Sequence, residues 1–219
     1  MICAAINTGS TERLIEIRES IDFIKSIIPA PPGAVPRHIN NLKGQIFVQL
    51  YGVIEFTIVE LLKTSLNFIN SLSLNIADVK HSILSLILDP ELESLKLVSS
   101  KKWEKRFDLT EKLRSNAICL ISNSIMPTDG RNFGVNQFRS IWNVFSISDP
   151  IFHDVAFQGR LSEIIGHRNK IAHGEYTASS IGSAQTVGDL YSRQTEVSRF
   201  CSYLISVFEN YLTSAAFKI

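Results

Sequence analysis

From Ile46 to Ile69 the apolar residues step by three or four: Ile46, Leu50, Val53 and Ile54, Ile58, Leu61 and Ile69, with Thr57 and Ser65 in phase. That is the period of an α-helix, on which residues three and four apart share a face. The pattern predicts one long helix over about residues 39–70. Leu190, Val197, Phe200, Cys201, Leu204, Phe208 and Tyr211 repeat it near the C-terminus. Thr186 is placed to cap that second long helix, with Asp189 in its first turn. Further helices are expected near 10–28, 75–88, 108–124, 134–146 and 153–172. No alternating run of β-branched residues between hairpin turns competes with them. The expected fold is all-α, a helical bundle with two long core helices and additional short ones.

Prolines mark most of the breaks. Four of the seven lie between Pro29 and Pro36, a segment that cannot continue a helix and reads as an extended connector. Asp89-Pro90 and Asp149-Pro150 each put an N-cap acid before a proline suited to a first helical position. Met126 to Asn132 reads as a turn-rich loop, and the small, polar residues of Thr177 to Thr186 as a loop of about ten residues. With no internal repeat, the expectation is a single domain over 1–219. Residues 1–38 would form an N-terminal helix plus proline-rich connector, and 39–219 the bundle.

Composition narrows the function classes. At 45% hydrophobic and 20% charged, the 219 residues are too apolar for a disordered chain. A net charge of +1 argues against a protein that coats nucleic acid through bulk electrostatics. Cys3, Cys119 and Cys201 are odd in number and widely spaced, as small buried residues in a reducing compartment would be. His38, His81, His153, His167 and His173 are scattered, so neither a metal site nor a cofactor is expected. The N-terminus lacks the pattern of an export signal. Apolar runs such as Ile83 to Leu88 fall short of the ~20 residues that span a bilayer. A cytoplasmic protein without membrane contact is the expectation.

The segment Leu161 to Tyr176 differs from the rest. Leu161, Ile164, Ile165 and Ala172 mark the face expected to meet the core, and Arg168 lies on that face. A guanidinium aimed at an interior or interface needs anionic partners. Asn169 stands four residues before His173, so its amide is expected to reach and orient the imidazole. Arg168 and His173 are about 140° apart on an ideal helix and converge only if the helix ends near His173. Gly174 is the residue type that ends helices in this way. On spacing alone, an inter-helix salt bridge by Arg168 with His173 as a helix cap stays open beside a functional pairing.

Arg168-Asn-Lys-Ile-Ala-His173-Gly resembles the Arg-x4-6-His motif of the HEPN superfamily, with its polar residue after the Arg. Leu50-Tyr51-Gly-Val-Ile-Glu55-Phe is similar to the Tyr-x-x-x-Glu helix of the RiboL-PSP-HEPN branch, and Arg131-Asn132-Phe-Gly-Val-Asn136 fits the same branch. The resemblance runs in family order from about residue 40 to the C-terminus. It implies an all-α bundle that dimerises and, in many members, a metal-independent endoribonuclease. In that chemistry the 2′-OH of RNA attacks the adjacent phosphorus and leaves a 2′,3′-cyclic phosphate. Histidine titrates near neutrality, so one His serves as base and another as acid. Arg168 would clamp phosphate oxygens, and a two-fold dimer would supply two copies of His173 at its interface. Glu55 would pair with Arg168, as an ion pair between helices or in direct support of catalysis. Some toxin members carry a modifiable Tyr two residues after the motif His; here Glu175 stands there and Tyr176 follows.

The resemblance implies RNA as substrate and a setting in toxin or anti-phage systems, with an antitoxin or defence-system partner. A non-catalytic HEPN module, serving as an RNA-, nucleotide- or protein-binding dimer scaffold, is the alternative. Lys101-Lys102-Trp103-Glu104-Lys105-Arg106-Phe107 interleaves cations and aromatics, a pattern that pairs phosphates and stacks bases but also suits a solvated helix face. His167 and Lys170 flank the motif and are further candidates for phosphate contact.

Overall fold

The computed structural model describes residues 1–30, 32–97, 100–122, 125, 127 and 132–219. Among these, nine α-helices form and no strand. They are α1 (Ala4–Ile27), α2 (Arg37–Ser71), α3 (Leu84–Ile87), α4 (Asp89–Lys96), α5 (Lys102–Arg114), α6 (Val135–Phe145), α7 (Phe157–Ala172), α8 (Ala178–Ser183) and α9 (Val187–Thr213). Arg131 and Pro31, with most of the loop expected from Met126 to Asn132, lie outside the described residues.

α2 is the central element, packed by α1, α7, α8 and α9. Its buried positions run from Ile39 to Ile69 and go most of the way round the helix. By length and composition α2 is apolar enough to cross a membrane, contrary to the expectation drawn from short apolar runs. In the fold most of its apolar surface is covered, with α1, α7, α8 and α9 packed on it. The buried hydroxyls of Thr57 and Ser65 return to the carbonyls of Val53 and Leu61, 2.8 and 2.7 Å away, so no polar atom of theirs is stranded. One hydrophobic cluster extends from Cys3, just before α1, to Phe217, and all three cysteines are buried free thiols within it.

α9 begins as its sequence directs. Thr186 Oγ1 accepts the Asp189 N–H at 3.1 Å and Asp189 Oδ2 accepts the Thr186 N–H at 2.8 Å, a reciprocal capping box. The Thr186 hydroxyl also donates to Asp189 Oδ2 at 2.6 Å, and this bond, with the one from the Thr186 N–H, holds the Asp189 carboxyl below its ordinary pKa. Thr186→Ala is therefore expected to cost about 1 kcal/mol, read by urea unfolding. α6 docks on α9 through aromatic rings: Phe138 lies 5.4 Å from Phe200, and Trp142 lies 6.0 Å from Phe208.

Several expected elements differ, each because distant groups compete for the backbone. α1 starts at Ala4 rather than near residue 10 because Glu209 of α9 accepts the Ile2 and Cys3 N–H groups, at 2.9 and 2.8 Å. Residues 75–88 hold only a 3-10 turn, Ile76–Asp78, and the short α3. Backbone groups there are taken by Ala117, Phe217 and Ile219. The helix expected at 108–124 is α5, displaced toward the N-terminus and finished at Arg114. Beyond it, the Asn70 side chain binds both the N–H and the carbonyl of Ile121.

α7 starts at Phe157, not near the Asp149-Pro150 pair. The carbonyls of that pair instead receive the Trp142 indole at 2.8 Å and the Tyr203 hydroxyl. In α4, Leu88 rather than Asp89 takes the cap position.

The loop expected at 177–186 is α8. Its small residues serve close approach: a Cβ on Gly182 would stand 1.9 Å from the Asn40 carbonyl oxygen, and one on Gly44 2.0 Å from that of Ala178. Without side chains at these two points, α8 and the N-terminal part of α2 come nearly into backbone contact. The buried Lys43 reaches past this crossing and donates to the Gln185 carbonyl at 2.6 Å.

Candidate functional site

α7 buries Leu161 and Ile164 and half-buries Ile165, while Ala172, expected on the same face, is exposed. One turn beyond Ile164, the Arg168 side chain is half-buried. Its guanidinium carbon lies 4.9 Å from the centre of the Tyr51 ring, and Nη1 donates to Asn169 Oδ1 at 3.1 Å. The same Asn169 oxygen accepts Asn132 Nδ2 at 2.9 Å. Tyr51 closes the cluster from α2. Its hydroxyl accepts the Phe133 N–H at 3.2 Å and has Glu55 Oε1 and Asn132 Oδ1 each at 3.4 Å for its single proton. Burial, more than any neighbour, pushes the Tyr51 phenol up from its ordinary pKa, so it stays a donor. Tyr51→Phe would strand the buried Phe133 N–H. The expected cost is about 1–3 kcal/mol in urea unfolding.

Three helical turns and one loop thus bring together Arg168, Asn169, Tyr51, Glu55 and Asn132. Asn132 belongs to the Arg131 to Asn136 stretch, and its bridging position between Tyr51 and Asn169 appears only with the fold. The expected Glu55–Arg168 ion pair does not form: among the described residues, no carboxylate lies within 4.0 Å of the Arg168 guanidinium. Tyr51 comes between, its ring under the guanidinium and its hydroxyl toward Glu55.

His173 is the C-cap of α7, and Gly174 follows at φ +71°, so the helix ends where the spacing required. The His173 N–H donates to the Asn169 carbonyl at 2.9 Å. The Asn169 amide does not orient the imidazole as expected: its oxygen receives Arg168 and Asn132, and no hydrogen bond joins it to the His173 ring. The His173 side chain is exposed and, among the described residues, without a hydrogen-bond partner. The exposed Lys170 holds its ammonium 5.1 Å from the Tyr176 ring, and the Tyr176 N–H returns to the Lys170 carbonyl at 3.1 Å.

His167 turns the other way. Its ring packs edge-on against Phe47 at 4.6 Å, with Glu163 4.0 Å off, and burial lowers its pKa. Beside it Glu163 grips Arg193 of α9 through two bonds of 3.0 and 3.2 Å, the arginine side chain being only 10% exposed. The apolar phase of the last helix signalled this tie, since Arg193 sits between Leu190 and Val197 where a core residue belongs. Lys101, Lys102 and Arg106 lie on or beside α5, away from the motif cluster. Among the described residues, no group of three or more His, Cys, Asp or Glu is placed to share a metal ion.

A family model described as HEPN_MAE_28990-like HEPN matches residues 8–217. The chain belongs to this HEPN family. The match takes in most of α1 and the proline connector, which the motifs alone left unexplained. It shows the HEPN superfamily, while the likeness to the RiboL-PSP branch rests on the Tyr51 and Asn132 stretches themselves. HEPN domains are nuclease or RNA-binding modules and often dimerise. No curated protein and no solved structure matches the chain significantly.

Proposed function

We propose that this HEPN chain is a metal-independent endoribonuclease, working as one unit over its whole length and as a homodimer. The observation that carries the reading is the state of Arg168. It is half-buried and held by a ring and an amide, yet no carboxylate within 4.0 Å among the described residues neutralises it. A cation fixed by neutral partners is preorganised for an anion, and a phosphodiester is the anion an RNA module meets. His173 ends the same helix one turn further on, with its side chain exposed.

In the proposed step the 2′-oxygen of RNA loses its proton to one histidine and bonds to the adjacent phosphorus. The bond from phosphorus to the 5′-oxygen breaks, and a second histidine protonates the leaving oxygen. One chain holds one motif His, so a two-fold dimer with the motif at its interface completes the pair. Arg168 stabilises the charge that develops on the phosphate, Asn169 and Asn132 fix its direction, and Lys170 adds a second cation. Tyr51 supports the guanidinium from below, Glu55 acts through Tyr51, and Tyr176 positions Lys170. His167, packed against Phe47, serves the helix interface. A cytoplasmic toxin or anti-phage effector with an antitoxin or defence partner is the setting that the motif resemblance supports.

The test is RNA incubated with the protein in EDTA, wild type against His173→Ala. Cleavage by the wild type alone supports the reading. Cleavage that needs a divalent metal, or that survives the substitution, contradicts it. The exposed, unoriented imidazole of His173 favours one second reading, a non-catalytic RNA- or protein-binding dimer scaffold. That reading expects no cleavage by either protein and unchanged assembly.

A further inference from the structure

α5 buries none of its residues, although it carries a tryptophan and a phenylalanine. Trp103 is 77% exposed and Phe107 62% exposed. They stand four apart, so their rings lie one turn from each other on one face. The same face, an arc of about 100° at 100° per residue, also holds Arg106, Thr110 and Arg114. Lys102 flanks it on the Arg106 side, and the acids Glu104, Asp108 and Glu111 gather on the opposite flank. The Arg106 guanidinium already lies 4.8 Å from the centre of the Trp103 ring. α5 rests on α4 through its other side, where Lys112 pairs with Glu91.

The helix is rooted at the C-terminal end of α2, since the segment after it is tied to Asn70 by two hydrogen bonds. Asn70 is about 28 Å along α2 from Tyr51, at 1.5 Å per residue. This surface is therefore separate from the motif cluster.

We propose that the Trp103–Phe107 face of α5 is a stacking platform for single-stranded RNA, a second contact point apart from the cleavage site. A purely apolar docking face would not be lined with guanidiniums, and a solvated helix has no use for two projecting rings. Exposed rings beside cations match the two parts of a single strand, bases with π-faces and a phosphate chain. Lys101, Lys105 and Lys112 lie on the back of the helix, but Lys102, Arg106 and Arg114 stand on or beside the ring face and clear of the acids, so a phosphate backbone can follow them while bases lie on the rings. This also locates the local positive potential that a net charge of +1 conceals. The inference rests on the reading of the chain as an RNA-directed protein, but it concerns binding and not cleavage.

The chain has two tryptophans, and the second, Trp142, is 4% exposed. Trp103 therefore supplies most of the fluorescence that acrylamide can quench. In the His173→Ala protein, a single-stranded oligoribonucleotide of about 16 nucleotides, within the span of known single-strand sites, is expected to shield that fluorescence from acrylamide. Trp103→Ala is expected to weaken binding of the same labelled oligonucleotide about 5- to 100-fold, and Trp103→Tyr to retain most of it. Arg106→Ala is expected to lower the slope of log affinity against log salt by about 0.7. Unchanged affinity in Trp103→Ala overturns the proposal, as does equal shielding by duplex RNA. If Trp103→Ala only disperses self-associated protein, the face docks protein and the proposal fails. Because the background variant is built not to cut, loss of the cleavage reading leaves each of these outcomes readable.

Discussion

Arg168→Ala is expected to slow RNA cleavage by about 10²- to 10³-fold, the usual loss when a preorganised charge-stabilising donor is removed. Its effect on folding separates this role from a structural one. Breaking a buried ion pair strands its partner and costs about 3–5 kcal/mol. Arg168 has no carboxylate within 4.0 Å among the described residues, so none is stranded and unfolding in urea should shift by about 1 kcal/mol or less. A large loss of activity with a small loss of stability is the expected signature. Arg168→Lys keeps the charge but not the planar fork that lies over Tyr51 and reaches Asn169, so it should recover only part of the rate. A destabilisation of several kcal/mol in Arg168→Ala would return the residue to the role of a helix tie.

The largest structural effect is expected from Gly182→Ala. The new methyl would lie 1.9 Å from the Asn40 carbonyl oxygen and 2.7 Å from the Gly44 nitrogen. Both are backbone atoms, so no side-chain rotation relieves the clash and α8 must move off α2. Overpacking of a well-fitted contact costs about 1–3 kcal/mol, and a clash with backbone belongs at or above the top of that range. For a chain of this size the corresponding fall in Tm is about 6–12 °C. Gly52→Ala is the matched control on α2, since a Cβ there meets nothing within 4 Å. It should leave the fold intact or raise stability by up to about 1 kcal/mol through helix propensity. α8 follows directly on the turn after His173, so the Gly182 variant should also disturb the end of the motif helix.

The two long helices were legible because each writes its core face in its own residues, and α9 also carries its cap in Thr186 and Asp189. What failed to show was whatever depends on partners distant in sequence. The start of α1 is set by Glu209, and the loss of helix at 75–88 by backbone bonds to Ala117, Phe217 and Ile219. α8 was hidden for another reason. Its small residues have no hydrophobic period, and the value of Gly182, like that of Gly44 opposite it on α2, lies in the Cβ it lacks at the helix crossing.

In the candidate site, the helix end at His173 followed from spacing and Gly174, while Arg168 and Asn169 were marked by the motif resemblance. The expected Glu55–Arg168 and Asn169–His173 contacts did not form. Spacing on one helix does not reveal that Tyr51 and Asn132 reach those groups first.

The most direct measurement is the chemical nature of the ends made when the protein cuts RNA in EDTA. The account predicts a 2′,3′-cyclic phosphate on one product and a 5′-hydroxyl on the other, made by the wild type and lost in His173→Ala. Products ending in 5′-phosphate, or the same cyclic ends from His173→Ala at an undiminished rate, would contradict it.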